Sequence, residues 1–173
     1  MVLIFDILLF IVLMICCITD LRTRKIYNKV IFPALFSAFL LHLIINGFSG
    51  LKGSFLGFLC GIAILIIPFG LGGFGAGDVK LLAVIGAIKG SSFAALTALY
   101  MFIIGGITAL IIIIFHKETI NFLKGLFCWL DGFIKGKYYK LEFPTTPFLK
   151  KFPYSAAIAG GTILSLLLKG AIM

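Results

Sequence analysis

The chain has 173 residues, of which 62% are hydrophobic and only 12% charged, with a formal net charge of +9. Soluble domains are nearer half apolar with about a quarter of their residues charged, so this composition excludes a soluble globular domain and points to an all-α membrane protein, read as one unit over residues 1–173. The excess of lysine and arginine comes without the aromatic-basic platform that nucleic acid requires, so no nucleic-acid partner is expected.

A helix that crosses a bilayer needs about 20 mainly apolar residues. The first candidate runs from Val2 to about Thr19 and ends at Asp20. It lacks a basic leader region and a small-residue cleavage pattern, so it is expected to be retained in the membrane. A polar stretch, Asp20 to Lys29, separates it from a second span over Val30 to Ile45, with Pro33 in the early turns where a proline costs a helix least. Asn46 to Gly53 reads as a short turn, and a third span follows over Ser54 to Phe69. Between Gly70 and Gly77 there are five glycines in eight residues, which should interrupt any helix. Val79 to Ile88 is too short to cross alone and is expected to be a short helix packed inside the bundle. Ser91 to Phe115 is a long fifth span.

From His116 to Lys151 the chain is polar, and Ile120, Leu123, Phe127, Leu130 and Ile134 recur at spacings of three and four. That pattern predicts an amphipathic helix, lying either on the membrane surface or against the protein. After Pro144, Pro147 and Pro153 comes a last span, Tyr154 to about Leu168, thinned at one end by Ser155-Ala156-Ala157 and Ala159-Gly160-Gly161. Six spans put both termini on one side. With the N-terminus outside, Arg22, Arg24, Lys25, Lys29, Lys80, Lys117, Lys124, Lys135, Lys137, Lys140, Lys150 and Lys151 fall inside, against Lys52, Lys89 and Lys169 outside. Basic residues mark cytoplasmic loops, so the expected fold is a six-transmembrane-helix bundle in the cell membrane, with extracytoplasmic termini and the amphipathic helix in the cytoplasmic loop between the fifth and sixth spans.

Of the six acids, Glu118, Asp131 and Glu142 lie in the basic loop, where a solvated face explains them. Asp6 lies about 21 Å along a helix from Asp20, at the opposite membrane face but on nearly the same side of the helix. Asp20 and Asp78 remain, on two helices at one face. Each could simply cap or anchor a helix end. Two aspartates around one water, however, are what peptide hydrolysis without a metal or a protein nucleophile needs: one ionised to take a proton from the attacking water, the other protonated to polarise the carbonyl and protonate the leaving nitrogen. Asp78 opens a helix and Asp20 closes one, so the helix dipoles favour the charge on Asp78. His42 and His116 stand far apart, the cysteines Cys16, Cys17, Cys60 and Cys128 contain no CxxC pair, and neither a metal nor a cofactor is expected. Ion or proton coupling in a non-enzymatic transporter or assembly subunit would also use intramembrane acids beside a broken helix.

Gly75-Ala76-Gly77-Asp78-Val79-Lys80-Leu81 resembles the GxGD motif of the type IV prepilin peptidases, a family of membrane aspartic proteases, including its lysine two positions after the aspartate. Thr19-Asp20-Leu21-Arg22 and Lys25-Ile26-Tyr27-Asn28 resemble the family's first aspartate and the basic segment after it, with Tyr27 where proline is usual. Phe152 to Gly161 resembles the proline-aromatic-small segment that opens the family's last helix. The resemblance implies that Asp20 and Asp78 are catalytic, that Gly75 and Gly77 shape the turn presenting Asp78 with the motif's Lys80 near the cytoplasmic surface, and that the substrate is the basic leader of a prepilin-like or pseudopilin protein. The zinc-binding CxxC insertion of the longer members is absent, so the chain looks more like the short Tad-type peptidases or the archaeal preflagellin peptidases, and no methylation site is recognised.

Overall fold

The computed structural model describes residues 2–23, 25–71, 73–115 and 154–172, and all regular structure among them is helical. The helices are α1 (Val2–Thr23), α2 (Asn28–Gly70), α3 (Ala76–Lys89), α4 (Ser91–Phe115) and α5 (Tyr154–Ile172). The amphipathic helix expected around residues 120–134 lies outside the described residues, as do Phe152 and Pro153. The chain divides into two compact units, Met1–Ile104 with Pro153–Met173, and Gly105–Phe152; the packing described below belongs to the first.

Three helices are long and apolar enough to cross a membrane: Leu3–Thr23, Asn28–Gly70 and Ser91–Thr108. Their outward faces are as greasy as their inward ones, with Phe36, Phe48 and Ile67 largely exposed. Such surfaces suit a bilayer, where lipid rather than water meets the side chains.

At 43 residues α2 would be about 65 Å long if straight, twice the thickness of a bilayer core. It is not straight. Gly47 has φ 63° and ψ −152°, a conformation open to glycine at no steric cost, and the helix breaks there. Phe39 before the break packs on Phe55 and Phe58 after it, with ring centroids 6.3 and 6.0 Å apart, so the two arms double back as a hairpin. The turn expected over Asn46 to Gly53 is therefore tighter than the polar residues suggested: one glycine reverses the chain and helix continues on both sides. Pro33 and Pro68 fall near the two outer ends of the hairpin, where few backbone bonds are lost.

Helix α3 lies in the fork of this hairpin. Lys80 bonds to Asn28 and His42 to Ile88, so the first arm runs parallel to α3. Gly57 faces Gly86 and Gly61 faces Ala83, so the second arm runs antiparallel to it. A Cβ on Gly61 would lie 2.6 Å from the Leu82 carbonyl oxygen, and one on Gly57 would overlap the Gly86 backbone. The backbones touch, and the Ser54 hydroxyl donates to the Ala87 carbonyl at 2.6 Å. All eight residues from Leu81 to Ile88 are buried as a result, which is how a short helix survives in an apolar chain: protein surrounds it. On the other flank, a Cβ on Gly161 of α5 would stand 2.8 Å from the Met101 nitrogen and the Thr97 carbonyl oxygen of α4. The small residues of the last helix thus serve close backbone approach, as their clustering suggested.

Candidate active site

Helix α1 extends past Asp20 through Leu21, Arg22 and Thr23. The helix was expected to end at Asp20, and three features carry it further. Arg22 in the last turn complements the negative end of the dipole, and the Thr19 and Thr23 hydroxyls donate to carbonyls four residues back, at 2.9 and 2.8 Å. Asp20 therefore projects from the last helical turn, held to one face, rather than from a loop.

Asp78 is fixed from the other direction. Helix α3 begins at Ala76 with Gly75 as its N-cap, and Asp78 is the third helical residue. The Gly75 N–H donates to Asp78 Oδ2 at 3.0 Å, and the Asp78 N–H donates to the Gly75 carbonyl at 3.1 Å. This reciprocal pair satisfies groups that a helix start leaves unbonded and locks the carboxylate over the first turn.

The two glycines of the motif act differently from the tight turn expected of them. Gly75 has φ −83° and ψ 152°, ordinary extended backbone, and among the described residues only Gly47 and Gly90 have positive φ. Gly77 lies inside the helix. Its value is the missing side chain: a Cβ there would lie 3.0 Å from Ile26 Cβ and 3.3 Å from its Cγ1. Lys80, one turn on and exposed, donates from Nζ to Asn28 Oδ1 at 2.9 Å. The stretch from α1 into α2 and the first turns of α3 thus meet twice, at Ile26 on Gly77 and at Asn28 on Lys80. Tyr27 between those two contacts has φ −81° and ψ 131°, close to the extended conformation a proline would adopt, so the geometry survives without one.

Asp20 and Asp78 end up together. They are 9% and 8% exposed, and the charge on Asp20 acts on Asp78. Among the described residues each carboxylate has one hydrogen-bond donor. Asp20 Oδ2 accepts from the Ser155 hydroxyl at 2.5 Å, and Asp78 Oδ2 accepts from the Gly75 backbone. Ser155 is fully buried at the start of α5, and its carbonyl faces the Cys17 thiol at 3.7 Å. It read in the sequence only as one small residue in a thin helix end. Nothing local marks it as the partner of an acid 135 residues earlier. Cys16 and Cys17, on the turn before Asp20, are free thiols, and no group of three or more metal-ligating side chains occurs among the described residues.

Two carboxylates in one poorly solvated site resist double ionisation. No curated protein and no solved structure matches the chain significantly. The model of the type IV leader peptidase family does match, over residues 7–114, which includes most of α1, both arms of α2, α3 and nearly all of α4, and with them Asp20 and Asp78. That match covers well over half of the 173 residues, and the chain belongs to the type IV leader peptidase family.

Proposed function

We propose that this peptidase is an aspartic endopeptidase of the cell membrane that removes the basic leader of a type IV prepilin-like or pseudopilin protein at the cytoplasmic face. The observation that carries the reading is the meeting of Asp20 and Asp78, two buried acids from opposite helix ends, with Asp20 near enough for its charge to be felt at Asp78. Each uses Oδ2 for its structural donor, which leaves Oδ1 for chemistry. In the proposed cycle, one ionised carboxylate takes a proton from a water held between them as that water attacks the scissile carbonyl. The protonated partner gives its proton to the carbonyl oxygen; the first carboxylate then passes the water's proton to the leaving nitrogen, and as the C–N bond breaks the gem-diol collapses to the carboxylic acid and returns a proton to the partner. Gly75 and Gly77 place Asp78, and Lys80 ties its helix to Asn28 at the membrane edge.

Counting the α2 hairpin as two crossings brings the helices to six, with Asp20 and Asp78 at the lysine-rich end assigned to the cytoplasm. A basic leader would approach there, and the two acids supply the local negative site that the surrounding cations lack. No cofactor enters this chemistry.

Co-expression with a candidate prepilin tests the reading, with leader removal followed on a gel. Asp20→Ala and Asp78→Ala are each expected to leave the leader in place while the protein still inserts. Leader removal at the unmodified rate in either variant would refute the mechanism and favour ion or proton coupling by the acids.

A further inference from the structure

Helices α1 and α3 meet at a second polar cluster, at the end of the pair remote from Asp20 and Asp78. Lys89, in the last turn of α3, forms an ion pair with Asp6 Oδ1, in the early turns of α1. No other donor reaches that oxygen among the described residues. The lysine side chain is 14% exposed and the aspartate 34%, so the pair stands largely out of water in an apolar bundle. Beside it, His42 Nε2 donates to the Ile88 carbonyl at 3.1 Å, and the Phe5 ring stacks on the imidazole with centroids 4.4 Å apart. The carbonyls at a helix C-terminus lack partners within the helix, and a lysine there complements the dipole. Helix α3 is thus held at its far end by α1 through Lys89 and by the first arm of α2 through Ile88.

We infer that the Asp6–Lys89 ion pair is a positioning latch that sets the axial register of α3 against α1, and through it the placement of Asp78 against Asp20. The lengths fit. Asp6 to Asp20 spans about 21 Å of helix, and Asp78 to Lys89 about 17 Å, at roughly 1.5 Å per residue. The difference, about 4 Å, is within reach of an extended lysine stem. Two antiparallel helices joined at both ends cannot slide past each other without breaking one junction. The near junction brings two acids together and supplies no attraction of its own, so the opposite charges at the far end hold the register. Neither Asp6 nor Lys89 touches the reacting atoms, and both are positioning residues.

The inference rests on the proposed peptidase activity for its kinetic consequence but not for its structural one, and the experiment reads both. Lys89→Met, Asp6→Asn and the exchanged pair Asp6→Lys/Lys89→Asp are prepared in proteoliposomes, alongside the conservative Lys89→Arg. One readout is kcat and KM for leader removal from a candidate prepilin. The other is the distance distribution between spin labels on Ile11→Cys and Ala76→Cys, both exposed positions, with the four native cysteines replaced by alanine. Lys89→Met and Asp6→Asn are expected to broaden or shift the label distances and to lower kcat about fivefold to tenfold with KM unchanged. Lys89→Arg and the exchanged pair are expected to recover both. Unchanged label distances in Lys89→Met and Asp6→Asn overturn the latch whatever the activity. Displaced distances with no leader removal even by the unmodified protein uphold the latch and count against the peptidase reading. Displaced distances with normal kcat overturn its catalytic role, and failure of both Lys89→Arg and the exchanged pair to restore the distances overturns the assignment to the ion pair.

Discussion

The two ends of the α1–α3 pair use charge in opposite ways. At one end an acid meets a base, Asp6 on Lys89, and the charges cancel. At the other an acid meets an acid, Asp20 beside Asp78, both buried, with a serine hydroxyl and a backbone N–H as their donors. The first arrangement stabilises contact between the helices, while the second opposes it, because like charges in a poorly solvated site repel. A fold keeps an unfavourable pair where chemistry needs it and balances it elsewhere. Both clusters sit on the same two rigid rods, so the stabilising end can sustain the costly one.

Removing the acids breaks that contrast most completely. Asp20→Asn or Asp78→Asn keeps the shape and deletes the proton chemistry, and leader removal is expected to fall by about 10² to 10⁴-fold, the usual contribution of a positioned acid or base. Quantitative gel densitometry of the cleaved and uncleaved substrate reads this directly, and a loss below tenfold would remove that residue from the chemistry.

Next in size is Gly77→Val. Its Cβ would come to 3.0 Å from Ile26 Cβ, tight enough that Ile26 or α3 must shift, and the branched methyls add to the crowding. A misplacement of about 1 Å in a catalytic group can cost about 10²-fold, so a loss of 10 to 100-fold in kcat is expected with normal membrane insertion. Gly77→Ala should lose less. Normal cleavage by Gly77→Val would show that the Ile26 contact places nothing.

Ser155→Ala is smaller again. It deletes the donor to Asp20, and a hydrogen bond to a charged group contributes about 1.5 kcal/mol at the low end of its usual range, so kcat is expected to fall about tenfold with KM unchanged. Ser155→Thr should retain most of the rate. A change confined to KM would instead assign Ser155 to substrate binding. The smallest effect belongs to Lys80→Gln, which can still donate to Asn28. Exposed polar contacts contribute about 0 to 1 kcal/mol, and a rate loss beyond about fivefold would mean that Lys80 does more than tie α3 to α2.

Much of this was legible in the chain. Apolar run length located the helices, and α4 matches its expected span from Ser91 to Phe115 at both ends. The glycine-rich break and the short apolar run after it marked α3, and Asp20 and Asp78 stood out as acids at the ends of apolar runs. These features are local, and a linear pattern records them. What stayed hidden depends on contacts between distant residues. Ser155 bonds to Asp20 across 135 positions, and nothing in the residues around either one records the other. Asp6 and Lys89 had been assigned to one membrane face, yet their pairing depends on two helix rotations that composition does not encode. Gly77 was visible as a glycine in a motif, but only the position of Ile26 shows that its role is clearance rather than a turn. At Gly47 the sequence has an Asn-Gly in a short polar break, and the dihedral angles show that a single residue is enough to reverse the helix.

The central claim is that Asp20 and Asp78 act on one water as a unit, and a double-mutant cycle tests it most directly. Leader removal is measured for Asp20→Asn, Asp78→Asn and the double variant against the unmodified protein. Residues that act together are strongly non-additive, so the double variant is expected to be no slower than the slower single one. A double variant slower by the product of the two single losses would mean that the acids act independently, and would contradict a shared catalytic water.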